Sequence, residues 1–401
     1  MKNEIKHKFN VVFKAPVLNR SGYGNWCDNL FRCLYNYPYF KVTTIPTPWG
    51  SCQPRQTTSD LDKLIRDSMP AEQSIPQPDI YICATLPHMD KPAGKMFNIN
   101  LSAGIEVDRC HDYIMKGVNQ WDLNILISKF SKGVYENSDI RPTSKLETLL
   151  WGVDTDIFKI TDVPDKKVDE QMNKIKEDEC FLFVGQSTSP HLFGDRKDMS
   201  SLIKTFCEAF RGKPNRPALI LKTSGTNFSA MDRNATIERV QQVRGMVENN
   251  DVNVYVLHGE LTDVEMNALY NHKKVIAHVS FTHSEGWGQP LLQASLSGKP
   301  VFASDWSGHL DFLSREKSVL LPGKVETIPD HLSSEYFMKG SKWFSVDYEA
   351  SKKILQDYFY GDRTEINNRA IQQSQLNSQR FNLNVMESNF HKILDKYIRG
   401  V

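Results

Sequence analysis

The residues with the clearest chemical meaning lie in one short loop, Glu-Gly-Trp-Gly-Gln-Pro at positions 285–290. A carboxylate beside two glycines places a strong hydrogen-bond acceptor on backbone that can approach a ligand closely. An apolar run at 275–279 predicts a buried strand before the loop, and a helical pattern through Leu291 and Leu292 follows it. Open α/β sheets bind their ligands at the carboxyl ends of strands, so we interpret this loop as a ligand site.

A second glycine-bearing loop lies near the amino terminus. Residues 9–15 predict a strand, and residues 25–35 carry helical spacing. The connecting loop contains Ser21, Gly22 and Gly24, which would place backbone N–H groups at the start of a helix, where anions bind. The alternative is a tight turn that needs glycine only for its backbone conformation.

The elements that must position these loops alternate between strands and helices. The predicted strands of the first half are 41–45, 79–84, 96–102, 123–128 and 146–150, in addition to 9–15. Those of the second half are 180–185, 218–223, 252–257, 275–279, 301–304 and 319–321. Such alternation predicts mostly parallel, doubly wound sheets. The charged stretch 161–179 fits a connection between two domains, and from residue 347 onward the pattern is helical.

The bulk composition excludes several classes of protein. With 401 residues the chain is too long for one ordinary core, and 40% hydrophobic with 24% charged residues describes a globular protein. The net charge of +1 gives no general attraction to nucleic acid or anionic membranes. No apolar run approaches the roughly 18 residues that span a bilayer. Seven cysteines without CxxC spacing indicate reduced thiols, so we expect a cytoplasmic protein without a zinc site.

The segment HSEGWGQPLLQASLSGKPVFAS, residues 283–304, resembles the donor-site signature of retaining glycosyltransferases of family 4, which have the GT-B fold. The positions that match this signature are Glu285, Gly286, Trp287, Gly288, Pro290, Gly298, Pro300 and Val301. The departure is Gln293, which stands where the family has a second Glu. The resemblance implies two Rossmann-like doubly wound domains that face each other across a cleft, with a C-terminal helix that returns to the first domain.

The resemblance also implies domain boundaries and a donor site. We expect an acceptor-side domain at 1–160 with the final helix at about 382–401, and a donor-binding domain at 161–381. By resemblance, Glu285 bonds sugar hydroxyls, and Gln293 bonds a ribose hydroxyl through its carbonyl without offering charge. The expected donor-binding residues are Gly22, Lys222, Gly286, Trp287, Gly288, Gln289, Pro290 and Gln293.

Cations for the donor diphosphate are expected from residues 184–210, which resemble the first strand, loop and helix of the family's donor domain. Lys197 stands where the family has its Lys, and Arg196 is its neighbour. Two cations can stabilise the charge of a departing nucleoside diphosphate without a metal. The alternative is a solvated pair at a helix start. Lys222, at the end of a predicted strand, points either at phosphate or at solvent.

The acceptor side is less well defined by the sequence. The loop 20–24 takes the place of the family's acceptor-side glycine loop, and residues 104–111 fall where family members carry a His near the reacting carbon. Glu106, Asp108 and His111 are candidates there, and we favour Glu106 because it is closest to the strand end. In the segment 305–313, Asp305 and His309 are further candidates, unless Ser307 only caps a helix.

The function implied by the resemblance is retaining transfer of a sugar from a nucleotide-diphosphate sugar to an acceptor hydroxyl, with no cofactor or metal. The acceptor is a saccharide or another hydroxyl compound. The segments 14–24, 102–109 and 305–313 also look like bacteriophage glycosyltransferases, some of which act on hydroxymethylated DNA bases in the host cytoplasm. Residues 1–155 hold 18 Lys+Arg against 16 Asp+Glu, which gives no support to DNA binding.

Two other readings remain open. One is a non-catalytic module that binds sugar nucleotides or glycans, which the substitution at Gln293 favours. The other is a different GT-B enzyme, such as an epimerase or a phosphorylase. Measuring the release of nucleoside diphosphate separates the first of these from a transferase. The sequence leaves the oligomeric state, the sugar and the nucleotide undefined.

Overall fold

The computed structural model describes residues 9–19, 21–50, 52, 55, 59–70, 77–186, 192–225 and 228–398. Arg20 of the amino-terminal glycine loop lies outside these residues. The chain divides into two units. The first comprises residues 1–152, 333–341 and 381–401, and the second comprises 153–332 and 342–380. The segment 333–341, which the sequence analysis placed in the second domain, thus belongs to the first unit.

The described part of the chain forms fourteen strands. They are β1 (Phe9–Ala15), β2 (Phe40–Pro46), β3 (Ile80–Ala84), β4 (Phe97–Ser102), β5 (Leu123–Leu126), β6 (Lys145–Thr148), β7 (Cys180–Val184), β8 (Ala218–Lys222), β9 (Val254–Leu257), β10 (Val275–Ser280), β11 (Val301–Ser304), β12 (Val319–Leu321), β13 (Gly323–Thr327) and β14 (Lys342–Val346).

Twelve α-helices accompany these strands within the described residues. They are α1 (Gly22–Tyr35), α2 (Asp60–Asp67), α3 (Asp112–Val118), α4 (Lys129–Asn137), α5 (Lys166–Met172), α6 (Met199–Phe210), α7 (Ala230–Gly245), α8 (Asp263–Asn271), α9 (Gln289–Ser295), α10 (Tyr348–Tyr360), α11 (Thr364–Arg380) and α12 (Leu383–Ile398). Short 3₁₀ turns occur at Pro87–Met89, Gly308–Asp311 and Asp330–Leu332. None of the helices in this part of the chain is long and apolar enough to cross a membrane.

The first unit is built on a parallel sheet with the strand order β2-β1-β3-β4-β5-β6. All five residues of its central strand β3 are buried, which is typical of parallel sheets because helices cover both faces of such sheets. Helix α1 begins at Gly22, three residues before the predicted start. The reason is Ser21, whose side chain accepts a hydrogen bond from the N–H of Gly24 and so caps the helix earlier.

The last helix, α12, belongs to this first unit, as the sequence predicted. It packs along α1. His391 lies 2.7 Å from the carbonyl of Cys33, and the hydroxyl of Tyr37 donates to Asp395 at 2.7 Å. An apolar stripe of Met386, Phe390, Leu394 and Ile398 is buried along the helix. The predicted return of the C-terminal helix is therefore confirmed.

The second unit contains a parallel sheet with the order β9-β8-β7-β10-β11-β12. In chain order this is 3-2-1-4-5-6, the arrangement of dinucleotide-binding Rossmann domains. The sheet reverses its direction of winding between β7 and β10. Phe181 of β7 anchors the core through ring contacts at 5.5 Å with Phe206 and 5.9 Å with Phe302. The predicted fold class, two Rossmann-like α/β domains, is confirmed.

One feature of this second unit has no counterpart among the predicted elements. Strands β13 and β14 form an antiparallel pair. Strand β13 is almost wholly exposed, so it lacks the apolar pattern by which a strand is predicted. Strand β14 has four buried residues, and it leads into α10. This pair lies next to the site described below.

Candidate active site

The candidate site lies where the second sheet reverses its winding. The loop after β7 carries Arg196 and Lys197, and the loop after β10 carries Glu285. β7 and β10 are neighbours in the sheet and run parallel, so both loops leave the same edge. Because the connections on the two sides of this point run in opposite directions, the loops separate and leave a crevice. The structure thus brings together three of the predicted site residues at one edge.

The backbone of Glu285 is fixed by the loop after β11. Its N–H donates to the hydroxyl of Ser307 at 2.9 Å, and its carbonyl accepts from the N–H of Gly308 at 2.9 Å. A Cβ at position 308 would lie 2.1 Å from the carbonyl oxygen of Gly286, so only glycine fits there. Two loops are therefore fastened to each other at the residue that carries the carboxylate.

The Glu285 carboxylate is held between two cations. The Nζ of Lys197 bonds Oε1, and Nη1 of Arg196 lies 3.3 Å from Oε2. Arg196 also donates to the carbonyl of Ser284. Burial by itself would raise the pKa of Glu285, which is 5% exposed, but Lys197 and then Arg196 outweigh burial and hold that pKa well below its usual range. The cluster is ionised at neutral pH and carries a net positive charge.

The turn that presents the two cations is fixed through its backbone. The carbonyl of Arg196 accepts from the N–H of His283 at 2.8 Å and from the hydroxyl of Thr282 at 3.3 Å. The N–H of Asp198 donates to the carbonyl of Asp195 at 3.0 Å. Asp198 has a φ of +48°, in the left-handed region, and helix α6 begins directly after it.

The glycine loop shapes the approach to this cluster. Gly288 has a φ of +91° and precedes α9, whose first turn contains Gln289 and Pro290. A proline suits the first turn of a helix because its missing N–H has no partner there. Trp287 is buried, with its ring 5.0 Å from that of Phe312, so it stabilises the loop from within. The carbonyl oxygen of Gly286 packs closely against Gly308.

Gln293 lies one turn into α9 and is 8% exposed. The hydroxyl of Tyr270, itself fully buried, donates to the side-chain carbonyl of Gln293 at 3.3 Å. The carbonyl that was expected to bond a ribose hydroxyl thus already has a partner within the protein.

Lys222, at the end of β8, binds the backbone of the loop after β9. Its Nζ donates to the carbonyl of Gly259 at 2.5 Å and lies 5.4 Å from the centre of the Phe228 ring. Burial lowers the pKa of Lys222 to about 8, and Lys167 adds to this decrease. The two roles considered for this side chain, at phosphate or in solvent, stay predictions, since the bond to Gly259 uses one of the three N–H donors of the ammonium group.

The segment after β11 contributes support to the site. His309 is fully buried, and its Nε2 lies 2.6 Å from the carbonyl of Ser304. Burial lowers its pKa, so the ring is neutral at pH 7. Ser307 does not cap the following 3₁₀ turn, because its hydroxyl is used by Glu285. Asp305 pairs with Arg315 at 2.9 Å.

The remaining predicted site residues belong to the first unit. Gly22 is the exposed first residue of α1, and Glu106 is half-buried in the loop after β4. Near them, Nε2 of His111 lies 3.3 Å from the carbonyl of Ser334. These positions leave the expected roles of Gly22 and Glu106 as predictions.

Sequence reasoning did not find three residues that support the cluster: His283, Asp198 and Tyr348. In the sequence, His283 lies two residues before Glu285, and Asp198 directly follows Lys197. This closeness to the predicted site residues is the signal by which they could have been found. Tyr348 is 150 positions from its partner Asp198, and no local pattern connects them. Among the described residues, no group of three or more His, Cys, Asp or Glu side chains is arranged to hold a metal ion.

The fold of the chain is GT-B, with a Rossmann-like domain in each half. Of solved structures, a glycosyltransferase from Rickettsia africae is similar at a TM-score of 0.66 and 13% identity, over 99% of this chain and 100% of that one. HepE from Anabaena, solved with UDP and glucose, is similar at 0.62 and 13% identity, over 97% and 100%.

A third similar structure is a sucrose-phosphate synthase from Thermosynechococcus elongatus, at a TM-score of 0.63 and 12% identity, over 98% of this chain and 100% of that one. No protein-family model matches the chain, and no curated protein matches it in sequence. Identities this low establish the shared fold and leave activity to be argued from the site.

Proposed function

We propose that the protein is a glycosyltransferase that moves a sugar from a nucleotide-diphosphate sugar to an acceptor hydroxyl. The observation that carries this proposal is the Arg196–Lys197–Glu285 cluster at the reversal point of the second sheet. Two cations and one carboxylate, fixed on neighbouring loops, match the two ends of such a donor. The diphosphate needs positive charge, and the sugar needs hydrogen-bond acceptors.

The electrostatic state of the cluster supports this division of roles. Glu285 remains ionised because its pKa is held low by Lys197 and Arg196. An ionised carboxylate accepts strong hydrogen bonds from sugar hydroxyls. The side chains of Arg196 and Lys197 are 22% and 14% exposed, so in our proposal they reach a diphosphate while being partly shielded from bulk water. Partial shielding strengthens their attraction to phosphate relative to a fully solvated pair.

The reaction we propose retains the configuration of the anomeric carbon. The acceptor oxygen attacks that carbon on the face from which the diphosphate leaves, and the carbon–phosphate oxygen bond breaks. The acceptor proton passes to a phosphate oxygen of the departing nucleoside diphosphate. Arg196 and Lys197 stabilise the negative charge that develops on this leaving group, so the step requires no metal in our proposal.

We propose a UDP-sugar as the first donor to test and a saccharide hydroxyl as the acceptor. HepE was solved with UDP-glucose, and a trehalose-6-phosphate protein of E. coli was solved with UDP-2-fluoro glucose. Both are similar to this chain across at least 97% of its length. In our proposal Gln293, whose side-chain carbonyl also accepts from Tyr270, bonds a ribose hydroxyl of the donor.

The proposal is tested with Glu285→Gln, which keeps the size of the side chain and removes its charge. We expect release of nucleoside diphosphate from UDP-sugars, in the presence of saccharide acceptors, to fall at least about 100-fold, because the sugar loses a charged hydrogen-bond acceptor. Glu208→Gln is the matched control. Glu208 also contacts two lysines, Lys204 and Lys352, but on the surface of the same unit.

Unchanged turnover in a folded Glu285→Gln variant would overturn the assignment of the donor site. Binding of UDP-sugars by the native protein without any release of UDP, across a panel of acceptors, would instead identify a non-catalytic sugar-nucleotide binding module.

A further inference from the structure

The turn that carries both cations is joined to the C-terminal part of the second unit by one buried hydrogen bond. The hydroxyl of Tyr348 donates to Oδ2 of Asp198 at 2.6 Å. Asp198 is 1% exposed and follows Lys197 directly. The ring of Tyr348, at the start of α10, lies 6.0 Å from the ring of Phe281, nearly parallel to it. The tyrosine is thus anchored by its ring and contacts the turn through its hydroxyl alone.

A second contact joins β14 to the same turn. The ring of His283 stacks on that of Trp343, with centres 4.0 Å apart and planes within 9°. Its Nδ1 lies 2.7 Å from the carbonyl of Phe344, and its Nε2 lies 3.8 Å from Oδ2 of Asp198. Because His283 also donates its backbone N–H to Arg196, strand β14 and the cation turn are fixed to one another.

The backbone of Asp198 explains why the turn needs support. Its φ of +48° lies in the left-handed region, which L-residues other than Asn and Asp rarely adopt. Such conformations persist where the surrounding contacts determine them. The conformation at Asp198 also decides the direction in which the preceding residue, Lys197, leaves the helix start. A contact that holds Asp198 therefore holds the lysine.

We propose that the Tyr348–Asp198 bond positions Arg196 and Lys197 to receive the donor diphosphate, which makes Tyr348 a positioning residue of the donor site. This inference rests on the proposed function. Cations that are already fixed in place bind an anion without a further loss of side-chain and loop entropy. Their charge also acts on the leaving group without rearrangement during the reaction.

The ionisation of Asp198 agrees with this role. Burial raises the pKa of Asp198 to about 7; bonds from Ser201 and Tyr348 act in the opposite direction, and Asp195 raises it further. His283 also faces this carboxyl, with its Nε2 3.8 Å from Oδ2. A carboxyl that is partly protonated near pH 7 accepts a hydrogen bond from Tyr348 while competing little with a diphosphate for Lys197.

The experiment uses the full chain and Tyr348→Phe, which removes the hydroxyl and keeps the ring contact with Phe281. UDP, GDP and ADP serve as calorimetric probes, and UDP-sugars as donors. For the nucleotide that the native protein binds, we expect Kd to rise about tenfold, equivalent to about 1.4 kcal/mol. The KM for the donor should rise with it, and the KM for the acceptor should stay unchanged.

Two further variants separate positioning from general stability. Tyr358→Phe removes a hydroxyl that donates to the carbonyl of Ile276 at 2.9 Å in the same unit, and should leave Kd within about twofold. Asp198→Asn keeps an acceptor for Tyr348 and suits a positive φ, so it should retain affinity within about threefold.

If Tyr348→Phe lowers the melting temperature as Tyr358→Phe does and leaves Kd unchanged, the bond is merely structural and the inference is wrong. A different result, in which the native protein binds none of the three nucleotides, would overturn the proposed function itself.

Discussion

The two sheets of this protein begin in the same way, with a strand, a loop and a helix, but the two helix starts differ. In the first unit, Ser21 precedes α1 in extended conformation, and its hydroxyl accepts from Gly24 at 2.9 Å. In the second unit, Asp198 precedes α6 in the left-handed region, and its carboxyl accepts a hydrogen bond from Tyr348, which lies outside that helix.

The comparison shows that the polar side chain before the first helix of each sheet has a different role in the two units. At α1 the polar side chain stabilises its own helix, which is the common use of serine at a helix start. At α6 the polar side chain accepts from Tyr348, outside its own helix, and so fixes the turn that carries two cations. The same supersecondary unit is therefore a structural element in one half and the support of a candidate site in the other.

Among the substitutions that test this comparison, replacement of Lys197 should have the largest effect on activity. Lys197→Met is expected to lower kcat/KM for the UDP-sugar about 100-fold, because one of two cations on the diphosphate is lost. Lys14→Met is the matched control, since Lys14 also forms an ion pair, at 2.8 Å with Asp90, in the first unit. Steady-state kinetics of both variants measure kcat/KM for the UDP-sugar. If kcat/KM fell equally in the two variants, the lysine of the second unit would have no special role, and the proposed difference between the two units would be wrong.

The two units should also differ in the pH at which they lose stability. Burial raises the pKa of Asp28 to about 6 and that of Asp198 to about 7. An unfolded aspartate releases its proton near pH 4, so between that pH and the folded pKa folding takes up a proton, and stability falls as pH rises. The contribution is on the order of 3 kcal/mol for Asp28 and 4 kcal/mol for Asp198, and both are fully present below pH 4.

Thermal unfolding from pH 4 to 8 provides the measurement. Asp28→Asn should flatten the profile below about pH 6, and Asp198→Asn should flatten it up to about pH 7. A profile that neither substitution changes would contradict the raised pKa values of these buried carboxyls.

The smallest effect concerns the cap in the first unit. Ser21→Ala should lower the free energy of unfolding by about 1 kcal/mol, because the N–H of Gly24 loses its partner. Chemical denaturation measures this loss. Affinity for UDP should not change with it, and a weaker affinity would show that the α1 start, like the α6 start, serves the site.

Much of the fold was predictable because parallel strands are buried on both faces and read as apolar runs. The runs at β3 and β7 are of this kind, and the C-terminal helix followed from its apolar spacing. Strand β13 was missed because nearly all its residues are exposed. A strand that depends on one antiparallel partner for its hydrogen bonds leaves no periodic signal in the sequence.

The site was predictable only where its residues adjoin a motif. Arg196, Lys197 and Glu285 were found together, whereas the bond from Lys222 to the carbonyl of Gly259 was not foreseen by either of the two roles considered for that lysine. The direction of a long side chain depends on which carbonyls lie within reach, and the sequence does not show these. The bond between Tyr348 and Asp198 was equally inaccessible, because it joins residues that meet only after folding.

The first unit is assembled from three separate stretches of chain, 1–152, 333–341 and 381–401. A fragment that ends at residue 152 therefore lacks α12, and it loses the contacts of that helix with the carbonyl of Cys33 on α1 and with the hydroxyl of Tyr37 just after α1. To exchange the second unit between proteins of this fold, the stretches 153–332 and 342–380 must be transplanted as two insertions into the first unit. The segment 333–341 must stay with its host.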